Sequence, residues 1–177
     1  MNPPASKIKD LMPKTLVLGL GNPILTDDGV GIYVVREAAS RLAHHASDSE
    51  VAFVEASVGG LRLLDVLAGY DGVILVDAIQ TRAGRPGDVY RLHPGDLRQS
   101  LHSGSSHDLS LADALALGRR LGITLPDDES ILILAVEVED VLTFGEACTS
   151  RVAQAVPQVV DLVMAEIPAT VDPRTAC

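Results

Sequence analysis

Hydrophobic positions along the chain alternate between two spacings. Residues 15–20 form a short continuous apolar run closed by Gly21, Asn22 and Pro23, the pattern of a strand buried on both faces and ended by turn residues. Val30, Ile32, Val34, Val35, Ala38, Ala39 and Leu42 then recur at helical spacing, with Asp27 and Asp28 where acids favour a helix start, which predicts a helix over residues 29–43. A polar connection at 44–50 leads to a second strand at 51–55 and a short helix at 60–67, with Leu61, Leu64 and Leu67 on one side. Another buried-strand run, 72–77, ends in Asp77. A basic loop, 81–85, precedes a predicted edge strand at 88–92, entered through Pro86 and Gly87.

Residues 93–106 are rich in Gly, Ser and His with little periodicity, and are expected to form a loop. Leu109, Leu111, Ala112, Leu115, Ala116 and Leu121 share one helical face over 108–121. After a turn at 126–129 come a further strand at 131–138 and a last amphipathic helix at 145–166 containing Pro157. Strands alternating with helices predict an α/β fold: a single-domain sandwich whose mostly parallel central sheet is covered by helices on both faces. Residues 1–14 are expected to be an N-terminal extension, 15–167 the domain, and 168–177 a C-terminal tail.

At 177 residues the chain suffices for one domain with a sizeable core. Composition narrows the function classes. Fourteen Lys and Arg against 24 Asp and Glu give a net charge of −10, a field that repels phosphate backbones and argues against a nucleic-acid partner. Three Tyr, two Phe and no Trp leave few stacking platforms and require an aliphatic core. The two cysteines, Cys148 and Cys177, are far apart and supply neither a disulfide framework nor a Cys-x-x-Cys site, as expected in a reducing cytosol. No apolar run reaches signal-peptide or membrane-span length, so a cytoplasmic protein without a membrane partner is expected.

In open α/β sheets ligands bind beyond the carboxyl ends of the strands, where strand order reverses. That rule nominates the segment 21–29 after the first strand, Asp77 at the end of the third, and Ser105 to Asp108 before the late helix. Of Asp27 and Asp28, one carboxylate can cap the helix while the other reaches the site. Asp77 ends a run so apolar that it needs a cation, donors or water to stay charged. Two carboxylates and the imidazole of His107 make an oxygen and nitrogen set able to hold Zn, Ni, Mn or Fe with positions left open. A nucleophile reading is weaker: there is no Gly-x-Ser-x-Gly elbow, and Cys148 lacks an evident His partner.

The stretch Leu16-Val-Leu-Gly-Leu-Gly-Asn-Pro-Ile-Leu-Thr-Asp-Asp-Gly-Val-Gly31 resembles the N-terminal signature of the NiFe hydrogenase maturation endopeptidases. The resemblance continues through Ile74 to Ala78 and Ser106 to Ala112, and covers roughly residues 15–165. It implies an α/β fold and an endopeptidase that removes a C-terminal extension from the hydrogenase large-subunit precursor after nickel insertion. By the same resemblance Asp28, Asp77 and His107 are the metal-binding and catalytic positions. Gly21, Asn22, Asp27 and Gly60 are expected among the substrate contacts, and nickel is expected to arrive with the precursor. One departure is visible: where family members often carry an acid followed by Gly-Gly, Glu55 is followed here by Ala56, Ser57, Val58, Gly59 and Gly60, of which Gly60 fits.

Two other readings compete. A non-catalytic nickel or precursor chaperone of the same fold would keep these residues and cut nothing. Gly19 to Pro23 also resembles the opening of peptidyl-tRNA hydrolases, but their downstream Tyr and Thr-Arg-His-Asn are absent and the charge is unsuited to tRNA. A dinucleotide-binding reading fails because Ile24 stands where the third glycine is required.

Overall fold

A computed structural model describes residues 14–43, 51–100 and 111–167. Five strands, β1 (Thr15–Leu20), β2 (Val51–Ala56), β3 (Gly72–Ile79), β4 (Val89–Leu92) and β5 (Ile131–Glu137), form one sheet in the order β2-β1-β3-β5-β4. All pairings are parallel except β4 with β5, so β4 is the antiparallel edge strand. The helices are α1 (Val30–Ala43), α2 (Arg62–Leu67), α3 (Pro94–Ser100), α4 (Leu111–Arg120) and α5 (Ser150–Glu166). None of the described helices is long and apolar enough to cross a membrane.

The apolar runs are continuous because both faces of the sheet are covered. Odd and even positions divide between two cores. Val17, Ile74, Val76, Leu134 and Val136 pack under α1 and α5, against Val30, Val34, Val159 and Val163. Leu16, Leu18, Leu75 and Ile133 pack on the opposite face, against Leu63 and Leu67 of α2 and Leu115 of α4. Pro157 does not end α5. It lies on the exposed side of that helix, where water can take the carbonyl its missing N–H leaves unpaired.

Several elements differ from expectation, each for a local reason. The last helix begins at Ser150, not 145, because Gly145 and Thr149 spend their N–H groups on the loop after β1: Gly145 donates to the carbonyl of Ile24 and Thr149 to the Asp27 carboxylate. The third strand runs two residues past Asp77, since Ala78 and Ile79 pair with Val136 and Glu137 of β5. Part of the expected 93–106 loop is helical: the Asp96 carboxylate accepts from the N–H of His93 and starts α3. Leu61 is half exposed and Leu63 takes its place in the core beside Leu64 and Leu67. A four-residue 3-10 turn, Thr26–Gly29, precedes α1.

The start of α1 crosses the β1–β3 seam at a separation only glycine allows. A Cβ on Gly31 would run into the carbonyl oxygens of Leu20 and Val76, and one on Gly19 into the carbonyl of Gly31. Gly31→Ala is therefore expected to lower the unfolding free energy by about 1–3 kcal/mol or more, read as a drop in the urea midpoint. Gly95→Ala, in the exposed first turn of α3 with open space around it, should change stability by no more than about 0.5 kcal/mol. Equal midpoints for wild type and Gly31→Ala would contradict this account of the seam.

Candidate active site

From β1 the chain passes through α1 to β2 on one side, and from β2 through α2 to β3 on the other side of β1. The carboxyl ends of β1 and β3 are thus the point where strand order reverses, and a crevice opens between the two outgoing connections. A cavity of about 510 Å³ occupies this position, on the face covered by α2, α3 and α4. Its apolar floor includes Leu20, Leu75 and Ile133, and its polar rim includes Gly21, Asn22, Asp28, Ser57 and Asp77.

The rim is built by a chain of hydrogen bonds. Gly21 leaves β1 at φ +133°, a left-handed value suited to glycine, and a side chain there would strike the carbonyl of Asp28. Its N–H donates to the carbonyl of Ala56 at 3.2 Å and its carbonyl accepts from Ser57 Oγ at 2.6 Å, so the ends of β1 and β2 are tied together. The N–H of Asn22 donates to Asp28 Oδ2 at 2.8 Å, and Asn22 Oδ1 accepts from the N–H of Ile24 at 3.3 Å. Asp28 is therefore oriented by its own loop, half-buried at the cavity wall.

Asp27, expected among the substrate contacts, turns the other way. It is fully buried, does not line the cavity, and accepts from four donors. Thr149 N donates to its Oδ1 at 2.6 Å, while Thr149 Oγ1, Asp140 N and Glu139 N donate to its Oδ2 at 3.0, 3.1 and 3.2 Å. An ionised carboxylate is the side chain that satisfies converging N–H and O–H donors. Of the two adjacent acids, one clamps the fold and the other faces the cavity.

Asp77 reaches the same cavity from β3. It lies on the face of Leu75 and Ile79, and its Oδ1 accepts from the N–H of Ala78 at 2.9 Å. Burial among these side chains pushes its pKa up to about 7. The Ala78 N–H partly offsets the rise, and the negative charge of Asp28 adds to it. That charge coupling places the two carboxylates in one electrostatic site.

Gly60, at φ +58°, sits one residue beyond the lining residues Ser57, Val58 and Gly59 and is not itself part of the wall. His107 lies outside the described residues. Leu97 of α3 and Leu111 of α4, which precede and follow that segment, both line the cavity. Among the described residues there is no cluster of three His, Cys, Asp or Glu side chains able to hold a metal. His93 is no candidate, because its Nδ1 pairs with the carbonyl of Ile131 at the opposite end of β5. Burial, then the charge of Asp27, pushes the Cys148 thiol up to about 11, which removes it as a thiolate nucleophile at neutral pH.

The fold and the paired acids define a doubly wound α/β protein with an acidic cavity at its switch point. The chain matches the family model for hydrogenase maturation protease over residues 32–166, and it belongs to that family. It is 31% identical over 110 residues to the hydrogenase 2 maturation protease of Escherichia coli (strain K12), covering 62% of this chain and 65% of that protein. It is 25% identical over 154 residues to the hydrogenase expression/formation protein HupD of Thiocapsa roseopersicina, covering 86% and 66%. The chain thus spans about two thirds of the length of these curated relatives. Among solved structures, the hydrogenase maturating endopeptidase HybD from E. coli superposes with a TM-score of 0.70 at 27% identity, over 86% of this chain and 90% of that one.

The raised pKa of Asp77 has a stability consequence. The ordinary value is 3.8 and the folded value about 7, so between these pH values the folded state holds a proton that the unfolded state has lost. Stability therefore falls as pH rises through that window and levels off above it. Asp77→Asn cannot ionise, so its urea midpoint should gain on the wild type from pH 4 to 7, by at most about 1.4 kcal/mol per pH unit. Denaturation curves whose difference is independent of pH would show that Asp77 titrates normally.

Proposed function

We propose that this chain is an endopeptidase that removes the C-terminal extension of a NiFe hydrogenase large-subunit precursor once nickel has been inserted. One observation carries the reading: in a chain of the hydrogenase maturation protease family, Asp28 and Asp77 face one cavity at the switch point of the sheet. The names of the relatives, a maturation protease and a maturating endopeptidase, support the reaction class.

Nickel enters this scheme as part of the substrate. Two carboxylates on one cavity, one of them with its pKa pushed up to about 7 by burial and by the charge of the other, suit a divalent cation, whose binding would relieve both penalties. Asp28 and Asp77 are assigned as its oxygen ligands and His107 as its nitrogen ligand. The metal supplies Lewis acidity at the scissile carbonyl. The chain's own part is to hold the precursor's tail between the Gly21–Asn22 turn and the Ser57–Gly59 loop, over an apolar floor that limits water. Either acid, when not bound to metal, can take the proton of the attacking water. The reaction is assigned to the cytoplasm, in keeping with the chain's sparse cysteines.

The test is the intact mass of a co-expressed large-subunit precursor, with and without nickel. Wild type is expected to shorten the precursor at its C-terminus only when nickel is supplied. Asp28→Asn, Asp77→Asn and His107→Ala should each slow processing by about 100-fold or more. Wild-type rates in both Asn variants would end the assignment of these acids. Precursor returned at full length by wild type, though bound, would favour the chaperone reading.

A further inference from the structure

Six large apolar side chains are exposed among the described residues, and three of them, Ile24 (52% exposed), Leu142 (84%) and Phe144 (79%), stand on two loops that are bonded to each other. Scattered exposed apolar residues need no explanation, but a rigidly held group does. One of only two phenylalanines in the chain is presented here to solvent.

The two loops form a short antiparallel ladder. Leu25 and Phe144 make a β-bridge, the N–H of Gly145 donates to the carbonyl of Ile24 at 3.1 Å, and Thr26 Oγ1 donates to the carbonyl of Thr143 at 2.6 Å. Asp140 Oδ1 accepts from the N–H groups of Leu142 and Thr143 at 3.1 and 2.9 Å. The Asp27 carboxylate holds the base of the second loop through Glu139, Asp140 and Thr149. Ordering these loops costs conformational entropy, and the side chains they present at Leu142 and Phe144 bury little in return.

Two features say what covers this surface. It shares a loop with the candidate active site, since Asn22 lines the cavity and Ile24, whose N–H donates to Asn22 Oδ1, stands on the ladder two residues further on. Its own two loops carry no Lys or Arg, whereas Glu139 and Glu146 are exposed beside Leu142 and Phe144 in sequence, and Arg36, whose charge reaches Tyr33 together with that of Glu146, is paired with Glu55 at 2.8 Å. An apolar centre with an acidic rim, next to a site that receives a polypeptide, fits a protein segment bearing an apolar side chain flanked by Lys or Arg. We infer that the Ile24, Leu142 and Phe144 ladder is the docking surface for the precursor protein, engaging a basic, apolar-anchored region outside the segment that is cut. This inference rests on the proposed function for the identity of the partner.

Binding and cleavage are measured separately on the full chain, with a large-subunit precursor from the same organism carrying its C-terminal extension. The double variant Leu142→Ser/Phe144→Ser changes only exposed side chains, and an unchanged thermal midpoint checks its fold. It should bind the precursor at least tenfold more weakly and raise KM by a similar factor, with kcat within twofold of wild type. Glu139→Lys/Glu146→Lys should weaken binding at low salt and less so at high salt. Binding and KM unchanged in the Leu142/Phe144 variant would overturn the docking inference while leaving the protease reading standing. Wild type that binds but never cuts, together with loss of binding in the variant, would keep the docking surface and remove the protease reading. A concentration-dependent dimer lost in the variant, with precursor binding intact, would assign the surface to a second copy and overturn the inference.

Discussion

Everything at the site depends on how closely the start of α1 approaches the seam between β1 and β3. Gly31 lies against the carbonyls of Leu20 and Val76, Gly19 lies against Gly31, and Gly21 lies against the carbonyl of Asp28. With side chains at these positions the helix would lift off the sheet, and the turn bearing Asp28 would lift with it. Asp77 would stay on β3. The two carboxylates share one cavity because three glycines let backbone meet backbone.

The neighbouring acids Asp27 and Asp28 show how one turn divides two tasks. Successive residues of the 3-10 turn point apart, so one carboxylate is driven into the protein and the other toward the cavity. Asp27 gathers donors from residues 112 to 122 positions away and joins the turn after β1 to the loop after β5. Removing its carboxylate would leave those N–H groups without an acceptor at about 1–3 kcal/mol each. The same bonds steady the exposed loop at Leu142 and Phe144, so the clamp serves the interior and the rim together.

Much of this was legible in the sequence because it follows from periodicity. Continuous apolar runs marked the buried strands β1 and β3, helical spacing marked the long helices, and the switch-point rule nominated the 21–29 segment together with Asp77, from which the family resemblance singled out Asp28. Long-range bonding was not legible. Nothing in the local sequence shows that Asp27 captures Thr149, or that Gly145 to Thr149 are diverted from the last helix. The short α3 was missed because it is set by an Asp96 cap rather than by a long apolar stripe. Ser57, which ties β2 to β1, could have been found by applying the strand-end rule to β2 as well as to β1 and β3. The expected contribution of His107 falls outside the described residues.

The central claim is that Asp28 and Asp77 work as one unit on the same substrate. A double-mutant cycle on single-turnover processing of nickel-loaded precursor measures this directly, using Asp28→Asn, Asp77→Asn and the pair. The account predicts strong non-additivity, with the double variant processing within about threefold of the slower single variant, because removing either acid already disables the shared site. Losses that multiply, so that the double variant falls by the product of the two single effects, would show that the two carboxylates act independently and would contradict the account.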